Sequence, residues 1–161
     1  MNNKLKREIS LILRSEVFSR LKGQTHHINT TLDRHIISVT LVCNRIYSFL
    51  KKFNIMISEE ELIIAALCHD LGMSDRHNKE VFPTHKDLAL KHGERSVYYA
   101  IGILGEDFTP KEEEIVKQHM FPMLLPPRCI EGWILITADK YCTVKDFFGS
   151  AFCCLPFHKK S

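Results

Sequence analysis

The residues in this sequence best suited to chemistry are its histidines and the carboxylates beside them. His69 and Asp70 are adjacent and close the apolar run Leu62-Ile63-Ile64-Ala65-Ala66-Leu67-Cys68. A carboxylate at the end of so apolar a segment must find a partner, because burying an unpaired charge is costly. A metal ion is one such partner; an arginine or a helix cap is another. Nine histidines stand in 161 residues, and histidine both titrates near neutrality and binds metals. More polar residues fall on apolar helical stripes. His35 shares a stripe with Val39 and Val42, His119 lies one turn after Ile115 and Val116, and Asp139 lies one turn after Leu135 and one before Cys142. Singly, each has an ordinary use as a hydrogen-bonded or salt-bridged core residue. Together with His69-Asp70 they would leave many buried polar groups to satisfy. One metal site shared among facing helices would satisfy them at once. Imidazoles mixed with carboxylates suit iron, manganese, cobalt, nickel or zinc better than calcium.

Helices must position these side chains. Leu5, Ile9, Ile12, Leu13, Val17 and Leu21 recur at helical spacing and predict one N-terminal helix over 1–22, stopped by Gly23. A second helix is expected from about Leu32 to Phe53, with Ile36, Val39, Cys43, Ile46, Tyr47 and Leu50 on one side. Ser58 and Glu61 form a capping box for a third. That helix is apolar all round and so should be central, with Gly72 as its stop. Met73 to Lys91 reads as a polar, irregular stretch with Pro83 and a short helical turn begun by Thr84 and Asp87. A helix follows from about Gly93 to Leu104, another opens at Thr109-Pro110, and the last runs from about Arg128 to Phe147. Nothing reads as a strand alternation. The expected fold is all-α: a single-domain bundle of about six or seven helices over 1–161, with its core at about 25–147 and a tail at 149–161.

Composition narrows the function. Hydrophobic residues make up 45% of the chain and the formal net charge is +3, too apolar and too weakly charged for a disordered protein. The apolar runs fall short of a membrane span, and Arg14 and Glu16 interrupt anything resembling a signal peptide. Mild basicity suits a small anionic ligand and gives little support for nucleic acid. Six cysteines without a C-x-x-C pair read as reduced thiols in a cytoplasmic protein, and the vicinal Cys153 and Cys154 have no assigned role.

The ordered set His35, His69-Asp70, His92, His119 and Asp139 resembles the metal-dependent HD-domain superfamily. The resemblance runs from about Thr25 to Phe147. It is carried by Asp33-Arg34-His35, by Ala65-Ala66-Leu67-Cys68-His69-Asp70-Leu71-Gly72, by Lys91-His92-Gly93-Glu94-Arg95-Ser96, by Val116-Lys117-Gln118-His119 and by Ala138-Asp139-Lys140-Tyr141. It implies an HD-type helical bundle with one or two divalent ions per chain. His35, His69, Asp70 and Asp139 would hold the first ion; His92 and His119 would hold a second, bridged by Asp70. Thr84-His85 also resembles the third motif, but Gly93 and the helix after it favour His92.

The family likeness further implies a phosphohydrolase acting on a small phosphorylated metabolite, with a nucleotide favoured. A hydroxide generated on the metal would attack phosphorus in line. The six-residue pattern and the Ala-Asp-Lys ending resemble the branch that splits dinucleoside polyphosphates. Asp70 and Lys140 would be the catalytic residues. Many family phosphohydrolases carry a lysine three residues after the aspartate of the doublet, where this chain has Met73. Lys140, Arg95, Arg76 and Lys79 are candidates for the phosphate contact, Lys140 foremost, and His26 and His27 are candidate substrate contacts. His77, His85 and His158 read as surface. No nucleic-acid or membrane partner is expected, and a homodimer is allowed for. A di-iron oxygenase and a non-catalytic regulatory module are the alternative readings of the same pattern.

Overall fold

A computed structural model describes residues 2–27 and 30–148, and for His26, His27, Phe147 and Phe148 the backbone alone. Its architecture is an all-α bundle: α1 (Asn3–Arg14), α2 (Glu16–Leu21), α3 (Leu32–Lys51), α4 (Glu59–Cys68), α5 (His85–Leu104), α6 (Pro110–Gln118) and α7 (Ile130–Phe148). Between α2 and α3 lies a short antiparallel hairpin, β1 (Thr25–His27) with β2 (Thr30–Thr31). No helix among the described residues is long and apolar enough to cross a membrane.

The centre is α4. Leu62 to Cys68 are all buried, and the helix packs against α1, α3, α6 and α7. A helix with no polar face can only be covered on every side. Its N-terminus is capped by Ser58, whose hydroxyl accepts from the Glu61 N–H. The reciprocal half of the expected capping box comes from elsewhere: the Ser58 N–H donates to Glu131 on α7 at 2.9 Å.

Several boundaries differ from expectation. The N-terminal helix is two helices, because Ser15 turns extended, ends α1, and offers its hydroxyl to the Phe18 N–H as the cap of α2. A serine that bonds the backbone locally favours such a break. The hairpin is too short and irregular to leave an alternation in sequence. The polar stretch before Gly93 is helical from His85 onward, with Thr84 accepting from the Asp87 N–H. Its first two turns are exposed or half-buried, so they carry no apolar stripe. Gly72 does not stop α4 by a left-handed turn. It sits inside a 3-10 turn, Leu71–Asp75, where a Cβ would lie 2.3 Å from the His92 carbonyl oxygen.

Cys43, Cys68 and Cys142 are unpaired and buried in the core as small hydrophobes, and burial pushes the Cys142 thiol up to about 12. Cys153, Cys154 and His158 lie outside the described residues.

Buried Glu112 closes a capping box with Thr109 at the start of α6. Burial, with the charges of Glu8 and Glu61 nearby, pushes its carboxyl up to about 7 despite the Thr109 hydrogen bonds. The folded chain therefore keeps this proton where the unfolded chain has released it. Glu112 favours folding most in its protonated form, and that advantage is lost as pH rises from about 4.5 to 7. Glu112→Gln keeps the box and removes the charge. Its thermal unfolding is expected to match wild type at pH 4 and to lie higher at pH 8, by roughly 5 °C for ~2 kcal/mol. Parallel melting curves at both pH values would sink this reading.

Candidate metal centre

Six side chains converge at one buried end of the bundle. His35 comes from the first turn of α3, His69 and Asp70 from the end of α4, and His92 from the middle of α5. His119 caps the C-terminus of α6, and Asp139 lies within α7. All six are buried. Two glycines let the elements close around them. Gly72 lays the turn after Asp70 against the α5 backbone at His92. Gly93 lets α5 meet α6, where a Cβ would stand 3.2 Å from the Val116 carbonyl oxygen.

The histidine rings are oriented from behind. His69 Nδ1 lies 2.8 Å from the Ala66 carbonyl oxygen, His92 Nδ1 2.8 Å from that of Leu88, and His119 Nδ1 2.6 Å from that of Val116. A carbonyl only accepts, so each Nδ1–H donates and each Nε2 is turned to the centre, where in the neutral ring it offers a lone pair. There five of the six residues form two groups that could each hold an ion: His35, His69 and Asp70; and Asp70, His92 and His119. Asp70 belongs to both. Its Oδ2 lies 3.5 Å from His69 Nε2, and its Oδ1 lies 3.3 Å from His92 Nε2 and 3.6 Å from His119 Nε2. Asp139 Oδ1 lies 3.1 Å from His35 Nε2 and 3.9 Å from His69 Nε2.

Two observations fit this donor set to a divalent cation. The buried His69 Nε2 has no hydrogen-bond partner among the described residues, although buried polar atoms are normally satisfied. His92 Nε2 and His119 Nε2 stand 3.0 Å apart, with both Nδ1 protons already committed to carbonyls. In the neutral rings two bare lone pairs would face each other and repel at that distance. Two nitrogens about 2.1 Å from one ion and at right angles stand about 3 Å apart.

The charges of the centre interact strongly. Burial pushes the Asp70 carboxyl up, but His69, His119 and His92 more than offset this and hold it well below the usual carboxylate range. Asp139 is likewise held low against burial by His35, His69 and Lys140. Burial pulls the His69 imidazole down, and its partners do not restore it. For His35 and His92 burial also lowers, but the hydrogen bonds and charges of Asp139 and Asp70 prevail and hold both imidazoles up. The centre thus combines ionised carboxylates with imidazoles, a donor set for divalent transition metals.

The flanking candidates are placed as follows. Lys140 Nζ is 3.0 Å from Asp139 Oδ2, with its side chain about half exposed at the rim. Arg95 is engaged away from the centre: Nε donates to Asp75 Oδ2 at 2.6 Å, Nη2 donates to the Tyr99 hydroxyl, and the guanidinium lies over the Tyr98 and Tyr99 rings. Arg76 donates to the Thr25 carbonyl and to His77, so it braces the hairpin. Met73 packs against the core. Lys79, His77 and His85 are exposed. The side chains of His26 and His27 lie outside the described residues. Sequence reasoning missed Asp146, whose Oδ2 is 3.1 Å from His35 Nδ1. Its signal was there: two aspartates seven residues apart on one helix face.

An all-α bundle with four histidines and two aspartates gathered at its buried end defines a helical protein built to hold a metal. The family follows from comparison with known sequences: the HD-domain model matches residues 32–143, and this chain belongs to that family. Neither a curated protein nor a solved structure matches the chain.

Proposed function

We propose that this chain is a metal-dependent phosphohydrolase acting on a small phosphorylated metabolite, with a nucleotide as the favoured class. Asp70 carries the reading: one ionised carboxylate faces the Nε2 atoms of three imidazoles and is common to both potential ion groups. Asp70 and its neighbours would hold divalent ions, which would supply neutralisation of phosphoryl oxygens and hydroxide at neutral pH. The chain's own side chains do the rest. His35, His69 and Asp139 orient one group, and His92 and His119 the other, with Asp70 spanning the two. Burial of all six keeps bulk water from competing for the donors and strengthens each charge interaction. Lys140 stands at the rim with its ammonium on Asp139. From there it can pivot to a phosphate oxygen, which takes over the contact that a lysine in place of Met73 would make. His26 and His27 remain substrate contacts in this proposal; Arg95, already held by Asp75 and Tyr99, would act through the fold around His92.

The test is a panel of nucleotides and phosphoesters offered to chain loaded separately with manganese, cobalt, nickel, iron and zinc. Phosphate or nucleotide release from at least one substrate is the expected outcome. Oxygen uptake by the iron-loaded chain with no hydrolysis of any substrate would replace this reading with an oxygenase. Failure to retain any metal would replace it with a non-catalytic module.

A further inference from the structure

The histidines of the centre are not held alike. Three of them donate Nδ1–H to a carbonyl of their own helix, three or four residues back: His69 to Ala66, His92 to Leu88, His119 to Val116. His69 and His119 stand at helix C-termini, where the last carbonyls have no intrahelical partner and are available. His35 stands instead in the first turn of α3. There the spare backbone groups are N–H donors, so its own helix offers Nδ1 no acceptor of that kind. The acceptor comes from α7, 111 residues away in sequence: Asp146 Oδ2, 3.1 Å from His35 Nδ1. Asp139 and Asp146 are two turns apart on one face of α7, and the His35 ring lies between them, each ring nitrogen 3.1 Å from one carboxylate. Asp146 is largely buried and lies beyond the 32–143 segment that the family model covers.

We propose that Asp146 is a positioning residue that fixes His35 with Nε2 toward the centre and makes the His35–His69–Asp70 group the tighter of the two ion positions. This rests on the reading of the centre as a metal site. A carboxylate behind an imidazole fixes the ring's tautomer and orientation and raises the donor strength of the opposite nitrogen more than a neutral carbonyl does. The Asp70–His92–His119 group is braced by backbone carbonyls alone on its imidazoles. Two positions that share Asp70 are thereby made unequal, and the His35 side should fill first.

Titration with Co(II) alone, followed by its visible absorption, tests this in wild type, Asp146→Asn and Asp146→Ala. The asparagine keeps a carbonyl for the His35 Nδ1–H and the same shape, but not the charge. Asp146→Asn is expected to weaken the first-filled position by roughly 10- to 100-fold and shift its spectrum. The other position and the metal-free melting temperature should stay close to wild type, and Asp146→Ala should weaken the same position at least as far. A wild-type isotherm and spectrum in Asp146→Asn would overturn the role of Asp146 while leaving the metal reading intact. Equal loss at both positions with a lower metal-free melting temperature would overturn it as well, and would make Asp146 a clasp between α3 and α7. Wild-type chain that takes up no Co(II) would overturn the metal reading itself.

Discussion

Asp70→Ala is expected to leave a folded chain that retains no divalent ion and releases phosphate only at the uncatalysed rate. Asp70 is the one carboxylate within reach of both ion groups. Its removal takes the shared charge from His69, His92 and His119 together and leaves imidazoles alone on the second group. The carboxylate that remains, Asp139 beside His35 and His69, cannot balance two dications in a buried site, where uncompensated charge is costly. The comparison variant is His119→Ala, which touches one group only. If two ions bind, it should lose one equivalent and keep the other. Metal analysis after gel filtration, with circular dichroism to check the fold, reads both variants. Hydrolysis that persists in Asp70→Ala would end the proposal, and unchanged metal content in His119→Ala would make His119 a core or substrate-contact residue.

Gly72→Ala carries the largest expected effect on stability. The added methyl would lie 2.3 Å from the His92 carbonyl oxygen, 2.8 Å from the Ser96 nitrogen and 2.9 Å from the Arg95 Cβ. The two nearest atoms are backbone of α5, so no rotamer change relieves the clash. The 3-10 turn and α5 must move apart. They are also joined by the Gly72 N–H donating to Ser96 Oγ at 2.8 Å, and by Asp75, which accepts from Arg95 and from the Tyr99 hydroxyl. Overpacking of this kind usually costs about 1–3 kcal/mol and sometimes more, and here we expect the upper end. For a chain of this size ~3 kcal/mol lowers the melting temperature by roughly 10 °C. Because the turn follows directly on Asp70 and α5 carries His92, metal affinity should fall as well. A melting curve and a Co(II) titration within error of wild type would show that the two elements are not in this contact.

Much of the centre was legible because its residues break a strong pattern. His69-Asp70 ends an apolar helix, and His35, His119 and Asp139 fall on apolar stripes. Each is a polar residue where burial is forced, which periodicity alone reveals. His92 needed the resemblance, since the first turns of α5 are solvated and show no stripe. Asp146 was missed because Lys145-Asp146 at the end of a helix reads as ordinary solvated charge. Its partner is fixed by the packing of α3 on α7, which no local pattern reports. The role of Gly72 was misread for the same reason. A glycine after a helix suggests a left-handed stop, whereas a close approach depends on an element twenty residues further on. Ser15 could have been recognised as a cap, but Leu13 and Val17 carry the helical spacing straight across it.

The donors of the centre are spread from His35 to Asp139 along the chain and come together only when α3, α4, α5, α6 and α7 have all docked. In the unfolded chain no such cluster exists. An ion bound here would therefore behave as a reversible cross-link closing a loop of about a hundred residues, and its binding energy would be folding energy. At a free concentration a thousandfold above the dissociation constant it would add about 4 kcal/mol to the stability of the bundle. Metal supply and the fraction of chain that is folded then become one equilibrium, so scarcity of the ion would act on the amount of protein as well as on its activity.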